Sequence, residues 1–234
     1  NEVKFVYLVP TFQNPTGKTI GDERRKKIAE IIKKHEMLVI EDDPYSELRY
    51  RGESVNSLYS YAPENVIYAG TLSKVFAPGL RLGFFVAPDK ELAQWLTIAK
   101  QGTDLHTNSF AQALAAEYLS GGYFDKHLPN IINLYKPKQE TMLEALGEFF
   151  PDSFKFTKPE GGMFIWIEGP ETIDGEEIYW KAIEEKVAFV PGKYFYANHE
   201  HGRSTMRLNF TSTDEATIRE AVRKLGKVLE QFTK

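Results

Sequence analysis

The chain of 234 residues suits one or two domains, and folding at that size buries roughly 70% of the surface that the unfolded chain exposes. Hydrophobic residues at 42% and charged residues at 26% exclude disorder and low complexity, and the absence of cysteine excludes disulfides, thiolate metal sites and cysteine nucleophiles. Lys+Arg 29 against Asp+Glu 33 leaves a net charge of −4, so there is no basic footprint for nucleic acid or a membrane surface, and no apolar run reaches the about 18 residues of a membrane span.

Asn1 leads almost at once into a strand-like run, Val3 to Val9, so the chain reads as a piece of something longer. A turn-rich TFQNPTGK follows, and Thr19 with Asp22 resembles a capping box ahead of DERRKKIAEIIKKHE. That helix sets Ile28, Ile31, Ile32 and His35 on one face. MLVIE and VIYAG are the second and third strands, and LGFFVA is a fourth. The connection into LGFFVA is too short for a parallel crossover, which predicts an antiparallel fourth strand on an otherwise parallel α/β sheet. Helices are expected near 89–101 and 107–120, the second stopped by Gly121-Gly122, and then over 123–150 with interruptions at Pro129 and Pro137. Beyond these, FKFT, MFIWIE, VAFVPG and TMRLNF alternate with helices near 174–185 and 214–232, which predicts a second, smaller α+β domain beginning near residue 135.

Ligands of open α/β sheets gather outside the carboxyl ends of the strands. Asn14-Pro15-Thr16-Gly17, Asp42-Asp43-Pro44-Tyr45 and Thr71-Leu72-Ser73-Lys74 each leave a strand there, with Arg81 a little further on. If the three strands are parallel, an amide, a carboxylate, a phenol, hydroxyls, an amine and a guanidinium share one rim. Such a set suits an anionic heteroaromatic ligand.

NPTG, the D-x-x-Y of DDPY, SKVFAPGLR, PEGGMFIW, FVPGKYF and MRLNF, in this order, resemble the pyridoxal-phosphate aminotransferases of fold type I. The likeness covers essentially the whole chain and is nearest to the branch with 2-aminoadipate, kynurenine and broad-specificity aminotransferases. It implies part of a mostly parallel large-domain sheet over 1–135 and a small α+β domain over 136–234. It also implies pyridoxal 5'-phosphate as cofactor and ping-pong transfer of an amino group between an amino acid and a 2-oxo acid.

By the same resemblance, Lys74 forms the Schiff base and moves the proton, while Asp42 pairs with the ring nitrogen. Asp42 keeps the spacing to Tyr45, whereas Asp43 suits the turn before Pro44. Asn14 and Tyr45 face the ring's phenolic oxygen. Thr71, where the family more often has serine, would hold the phosphate with Ser73 and Arg81, since guanidinium matches phosphate oxygens in pairs. Arg207, in the MRLNF strand, would clamp the substrate carboxylate, with Asn14 also on the substrate side. His106 is read as a cap or interface residue, and no metal site is expected.

Full-length members of the family are longer and carry a phosphate loop, a ring-stacking aromatic, side-chain specificity residues and much of a homodimer contact ahead of NPTG. The chain alone is therefore expected to be inactive or nearly so, its parent a cytoplasmic homodimer with no nucleic-acid partner through this region and no membrane partner. Two other readings remain on the same scaffold: a cofactor-sensing effector domain of a winged-helix transcription regulator, and a lyase or decarboxylase. A prompt half-reaction with amino acids separates the enzyme from the sensor, and release of ammonia or carbon dioxide marks the lyase.

Overall fold

The computed structural model describes residues 3–233. They divide into two compact units, one holding the residues up to Thr11 with Thr19–Ile131, the other Phe12–Lys18 with the residues from Ile132 onward.

In the first unit β1 (Val6–Leu8), β2 (Val39–Asp43) and β3 (Val66–Thr71) run parallel, and β4 (Gly83–Val86) lies antiparallel to β3, in the order β1-β2-β3-β4. The antiparallel fourth strand is as the short connection requires. Helix α1 (Asp22–Lys34) crosses from β1 to β2 and buries Ala29 and Ile32 against Val39, Val66 and Leu58, the last from the short helix α2 (Leu58–Tyr61). Two expectations for α1 fail. Gly21 occupies the N-cap with no side-chain cap bond, and Asp22 is the first helical residue, its carboxylate taken by Tyr61 and Lys26. Ile31 and His35 are exposed, and the buried row is Arg25, Ala29 and Ile32. The reason is Arg25, a charged residue that apolar periodicity passes over.

Arg25 is 1% exposed because polar partners satisfy it inside the unit. Its Nε donates to the Ile20 carbonyl at 2.7 Å and Nη1 to that of Asn56 at 2.9 Å. Nη2 donates to the Pro10 carbonyl at 3.0 Å and to Thr11 Oγ1 at 2.8 Å. Glu41, at 0% exposure, stands 3.7 Å from Nη1 and accepts the backbone N–H groups of Leu58 and Tyr59, each at 2.9 Å. One ion pair thus ties α1, β2, α2 and the exit of β1 together.

Helices α3 (Lys90–Asp104) and α4 (Ser109–Ser120) begin at the N-caps Asp89 and Asn108, and Gly121 closes α4. Helix α5 (Tyr123–Phe149) runs unbroken through Pro129 and Pro137, where an interruption is predicted. Each proline removes one N–H and costs about 3 kcal/mol in a helix interior. The burial of Ile131, Gln139, Met142, Ala145 and Leu146 along the same helix outweighs that cost.

The second unit is an antiparallel sheet of β5 (Lys155–Phe156), β6 (Phe164–Glu168), β7 (Val190–Pro191) and β8 (Thr205–Asn209) in the order β5-β6-β8-β7. Helices α6 (Gly175–Glu184) and α7 (Glu215–Leu229) start from the N-caps Asp174 and Asp214. Ile165, Ile167, Met206 and Leu208 are buried with Ile218, Val222, Leu225 and Leu229 of α7. Among the described residues no helix is long and apolar enough to cross a membrane.

Candidate functional site

The loops after β2 and β3 leave parallel strands at the same end of the first unit, so Asp42, Tyr45, Thr71, Ser73, Lys74 and Arg81 belong to one structural unit. Asn14 and Arg207 belong to the other.

Lys74 sits in the turn that follows β3, half-buried, and its amine has no hydrogen-bond or ion-pair partner among the described residues. The turn itself is pinned. The Leu72 N–H donates to the Leu82 carbonyl at 3.1 Å and the Phe76 N–H to that of Leu72 at 2.9 Å. Thr71 Oγ1 also donates to the Leu82 carbonyl at 3.0 Å, accepts the Ser73 N–H at 3.1 Å and lies 3.0 Å from Ser73 Oγ. The two hydroxyls are therefore neighbours just ahead of the lysine. Arg81 follows a single 3-10 turn, Pro78–Leu80, in left-handed backbone (φ 54°, ψ 43°), a conformation that a residue with a Cβ rarely adopts. Its exposed guanidinium makes one long bond, 3.3 Å, to the Pro78 carbonyl. On its side lies a cavity of about 790 Å³ also bordered by Lys100, His106 and Asn108. His106 is not the helix cap. Asn108 caps α4, and the exposed His106 ring keeps Nδ1 2.8 Å from the Thr107 carbonyl.

Asp42 is half-buried at the end of β2 and accepts a hydrogen bond from the Tyr7 hydroxyl. Burial, with the Asp42 carboxylate beside it, pushes the Tyr7 phenol up to about 12. Sequence reading missed Tyr7, yet a signal existed. Tyr7 pairs with Ile40 in the β1–β2 ladder, and residues two apart on a strand share a face, which puts Tyr7 and Asp42 on the same side of the sheet. Asp43 plays a different part. It accepts the Ser46 N–H at 3.1 Å and the Tyr68 hydroxyl at 3.0 Å, as a turn-forming aspartate would. Tyr45 is buried at 6% exposure.

In the second unit Arg207 Nη1 donates to Asn14 Oδ1 at 2.7 Å. The guanidinium lies over the Phe164 ring at 4.2 Å and near that of Phe195 at 5.0 Å. Two aromatic rings and one amide oxygen hold the guanidinium in place, which suits pairwise recognition of a carboxylate. Asn14 follows Phe12 and Gln13 in the segment that this unit takes from the early chain, and the Asn14–Pro15 peptide is cis.

Fold and candidate residues together define an α/β protein with a half-buried lysine in the turn that follows a parallel strand. Residues 1–225 match the aminotransferases of class I and II, and the chain belongs to that family. It is 47% identical over its full length to an aromatic-amino-acid aminotransferase of Thermococcus litoralis, of which it spans 56%. The crystal structure of Pyrococcus horikoshii kynurenine aminotransferase, with PMP, KYN and KYA, superposes with a TM-score of 0.96 at 47% identity over 100% of this chain and 57% of that one. An α-aminoadipate aminotransferase of Thermus thermophilus, complexed with N-(5'-phosphopyridoxyl)-L-leucine, gives a TM-score of 0.91 at 41% identity, covering 97% of this chain and 59% of that one. The chain thus spans somewhat more than half the length of these relatives.

Proposed function

We propose that the protein works through pyridoxal 5'-phosphate and transfers an α-amino group between an amino acid and a 2-oxo acid. The observation that carries this reading is the half-buried, unpartnered Lys74 amine in the turn after β3, in one unit with Asp42, Tyr45, Thr71, Ser73 and Arg81. The donor set fits the cofactor by its chemistry. Neighbouring hydroxyls and a guanidinium with a single long internal bond suit a phosphate, a strand-end carboxylate suits a protonated ring nitrogen, and a free amine suits an aldehyde.

When bound, the cofactor supplies an electrophilic aldehyde and a ring that takes up electrons from the substrate carbon. The residues do the rest. Lys74 tethers the group and then carries the proton to and from the substrate Cα. Asp42 holds the proton on the ring nitrogen, with Tyr7 donating to its carboxylate. Tyr45 donates to the ring oxygen, and Thr71, Ser73 and Arg81 hold the phosphate. Arg207, its fork oriented by Asn14, takes the carboxylate common to all α-amino acids.

The test is covalent capture. After incubation with pyridoxal phosphate and reduction with borohydride, peptide mass spectrometry should find one dominant adduct, on Lys74. Lys74→Ala should abolish it. Adducts spread evenly over the surface lysines, or undiminished capture in Lys74→Ala, would refute the reading. With loaded protein, a new amino acid as product separates transamination from release of ammonia or carbon dioxide.

A further inference from the structure

We propose that Tyr118 is a positioning residue for Lys74, an inference that rests on Lys74 being the covalent tether. Tyr118 lies on α4, far from the lysine in sequence, and is 8% exposed. Its hydroxyl donates to the carbonyl of Val75, the residue after Lys74, at 2.9 Å. Its ring stacks on Phe76, the next residue, with centroids 4.0 Å apart and planes within 14°. Phe124 and His127 of α5 meet the other ring edges at 6.1 and 6.4 Å. One side chain therefore grips two successive residues of the lysine turn, one through its carbonyl and one through its ring, and is itself wedged against α5.

The local bonds of the turn reach back to β3 and forward to β4, through Thr71, Leu72 and Leu82. They fix the start of the turn. Beyond Lys74 the Phe76 N–H is held locally by the Leu72 carbonyl, while the Val75 carbonyl and the Phe76 ring are held from α4. Burial pushes the Tyr118 phenol up, so its hydroxyl keeps the proton it donates. A lysine carries its amine on a flexible four-carbon stem, so the direction of that stem depends on a backbone that does not swing. A displacement near 1 Å at a reacting atom costs up to roughly a hundredfold in rate. The Tyr118 grip is thus a device for aiming the amine, built from a residue on a neighbouring helix.

The experiment compares wild type, Tyr118→Phe and Ala113→Gly. Tyr118→Phe keeps the ring stack and loses the hydroxyl, and Ala113→Gly, at an exposed position, weakens the same helix while leaving both. Each protein is incubated with limiting pyridoxal phosphate, quenched with borohydride over time, and digested. The initial rate of adduct formation at Lys74 is divided by the mean rate at the exposed lysines of the same molecule. Melting temperature and hydrogen exchange of the 71–80 peptide are read in parallel. The expected result is a Lys74 ratio about tenfold lower in Tyr118→Phe, with faster exchange of that peptide, and an unchanged ratio in Ala113→Gly despite a comparable fall in melting temperature. An unchanged ratio in Tyr118→Phe would overturn the positioning role alone. An equal fall in both variants would overturn it too, since loss of helix stability would then explain the effect. A wild-type Lys74 no faster than the exposed lysines would overturn the tether reading and this inference with it.

Discussion

Arg25→Met tests whether one buried ion pair organises the first unit. Both partners are essentially without solvent, at 1% and 0% side-chain exposure, and the separation is 3.7 Å. Methionine preserves most of the volume but removes the charge and strands the acceptors at Ile20, Asn56, Pro10 and Thr11. Removing one member of such a pair costs about 3–5 kcal/mol, a large part of the about 5–15 kcal/mol by which a domain is stable. Glu41→Gln should cost less, about 1–3 kcal/mol, because it strands a single N–H at Leu58 or Tyr59 and leaves the Arg25 charge still bonded to four oxygens. The double variant should be more stable than Arg25→Met alone, since no unpaired charge then stays inside. The sign with pH follows from Glu41, whose carboxyl is pushed up by burial against the pull of the Leu58 and Tyr59 N–H groups and Arg25. Between the ordinary glutamate value near 4.3 and that raised value the folded state binds more protons than the unfolded one, so the contribution weakens as pH rises through the window. Without Arg25 the value rises further, and Arg25→Met should gain stability on mild acidification relative to wild type. Urea titrations read by hydrogen exchange in β1, β2 and β3 would measure all three variants. A loss below about 1 kcal/mol in Arg25→Met, or a double variant worse than the single, would refute the reasoning.

Asp42→Asn should bring the Tyr7 phenol down from about 12 part of the way to 10.0, because burial is the larger cause and survives the substitution. NMR of ring-labelled tyrosine, with Tyr7→Phe to assign the signal, gives the midpoint, and an unmoved midpoint would break the link between the two residues. Arg207→Lys should weaken amino-acid binding to the loaded protein by about tenfold or more while leaving the cofactor's absorption intact, because an ammonium replaces a fork seated over Phe164. Loss of cofactor instead would make Arg207 structural.

Much of the fold is legible in the sequence where apolar runs and short connections speak for themselves. The parallel β2 and β3 and the antiparallel β4 follow from run lengths and from the loop before Leu82. The buried face of α1 does not, since it turns on a charged residue whose partners lie on other elements. The assignment of Phe12–Lys18 to the second unit is equally hidden, because the contacts that hold it come from residues near Gly162, which no local pattern connects to it. Candidate residues such as Lys74 and Arg81 stand out through ordered motifs. Tyr7 and Tyr118 do not, being two of 12 tyrosines whose significance comes from a partner across a sheet or on another helix.

That hidden contact makes its own prediction. Gly162 has φ +75°, and a Cβ there would lie 2.6 Å from the Cβ of Phe12, itself buried at 1% exposure. Gly17 answers from the other side of the same interface, with φ +67° and a Cβ position 2.8 Å from the Phe164 carbonyl. The early segment and the Pro159–Phe164 stretch therefore approach more closely than side chains permit, and Asn14 rides on that segment toward Arg207. Gly122 supplies the control, since it has φ +70° but nothing within 4 Å of its would-be Cβ. Gly122→Ala should cost only the left-handed strain, about 1–2 kcal/mol. Gly162→Ala must add to that strain the displacement of the buried Phe12 side chain, and should cost the second unit clearly more than Gly122→Ala costs the first. It should also speed hydrogen exchange around Asn14, which Gly122→Ala has no route to affect. Equal losses in the two variants would mean that backbone strain alone sets the cost. The position of the Asn14 amide would then depend on something other than this contact.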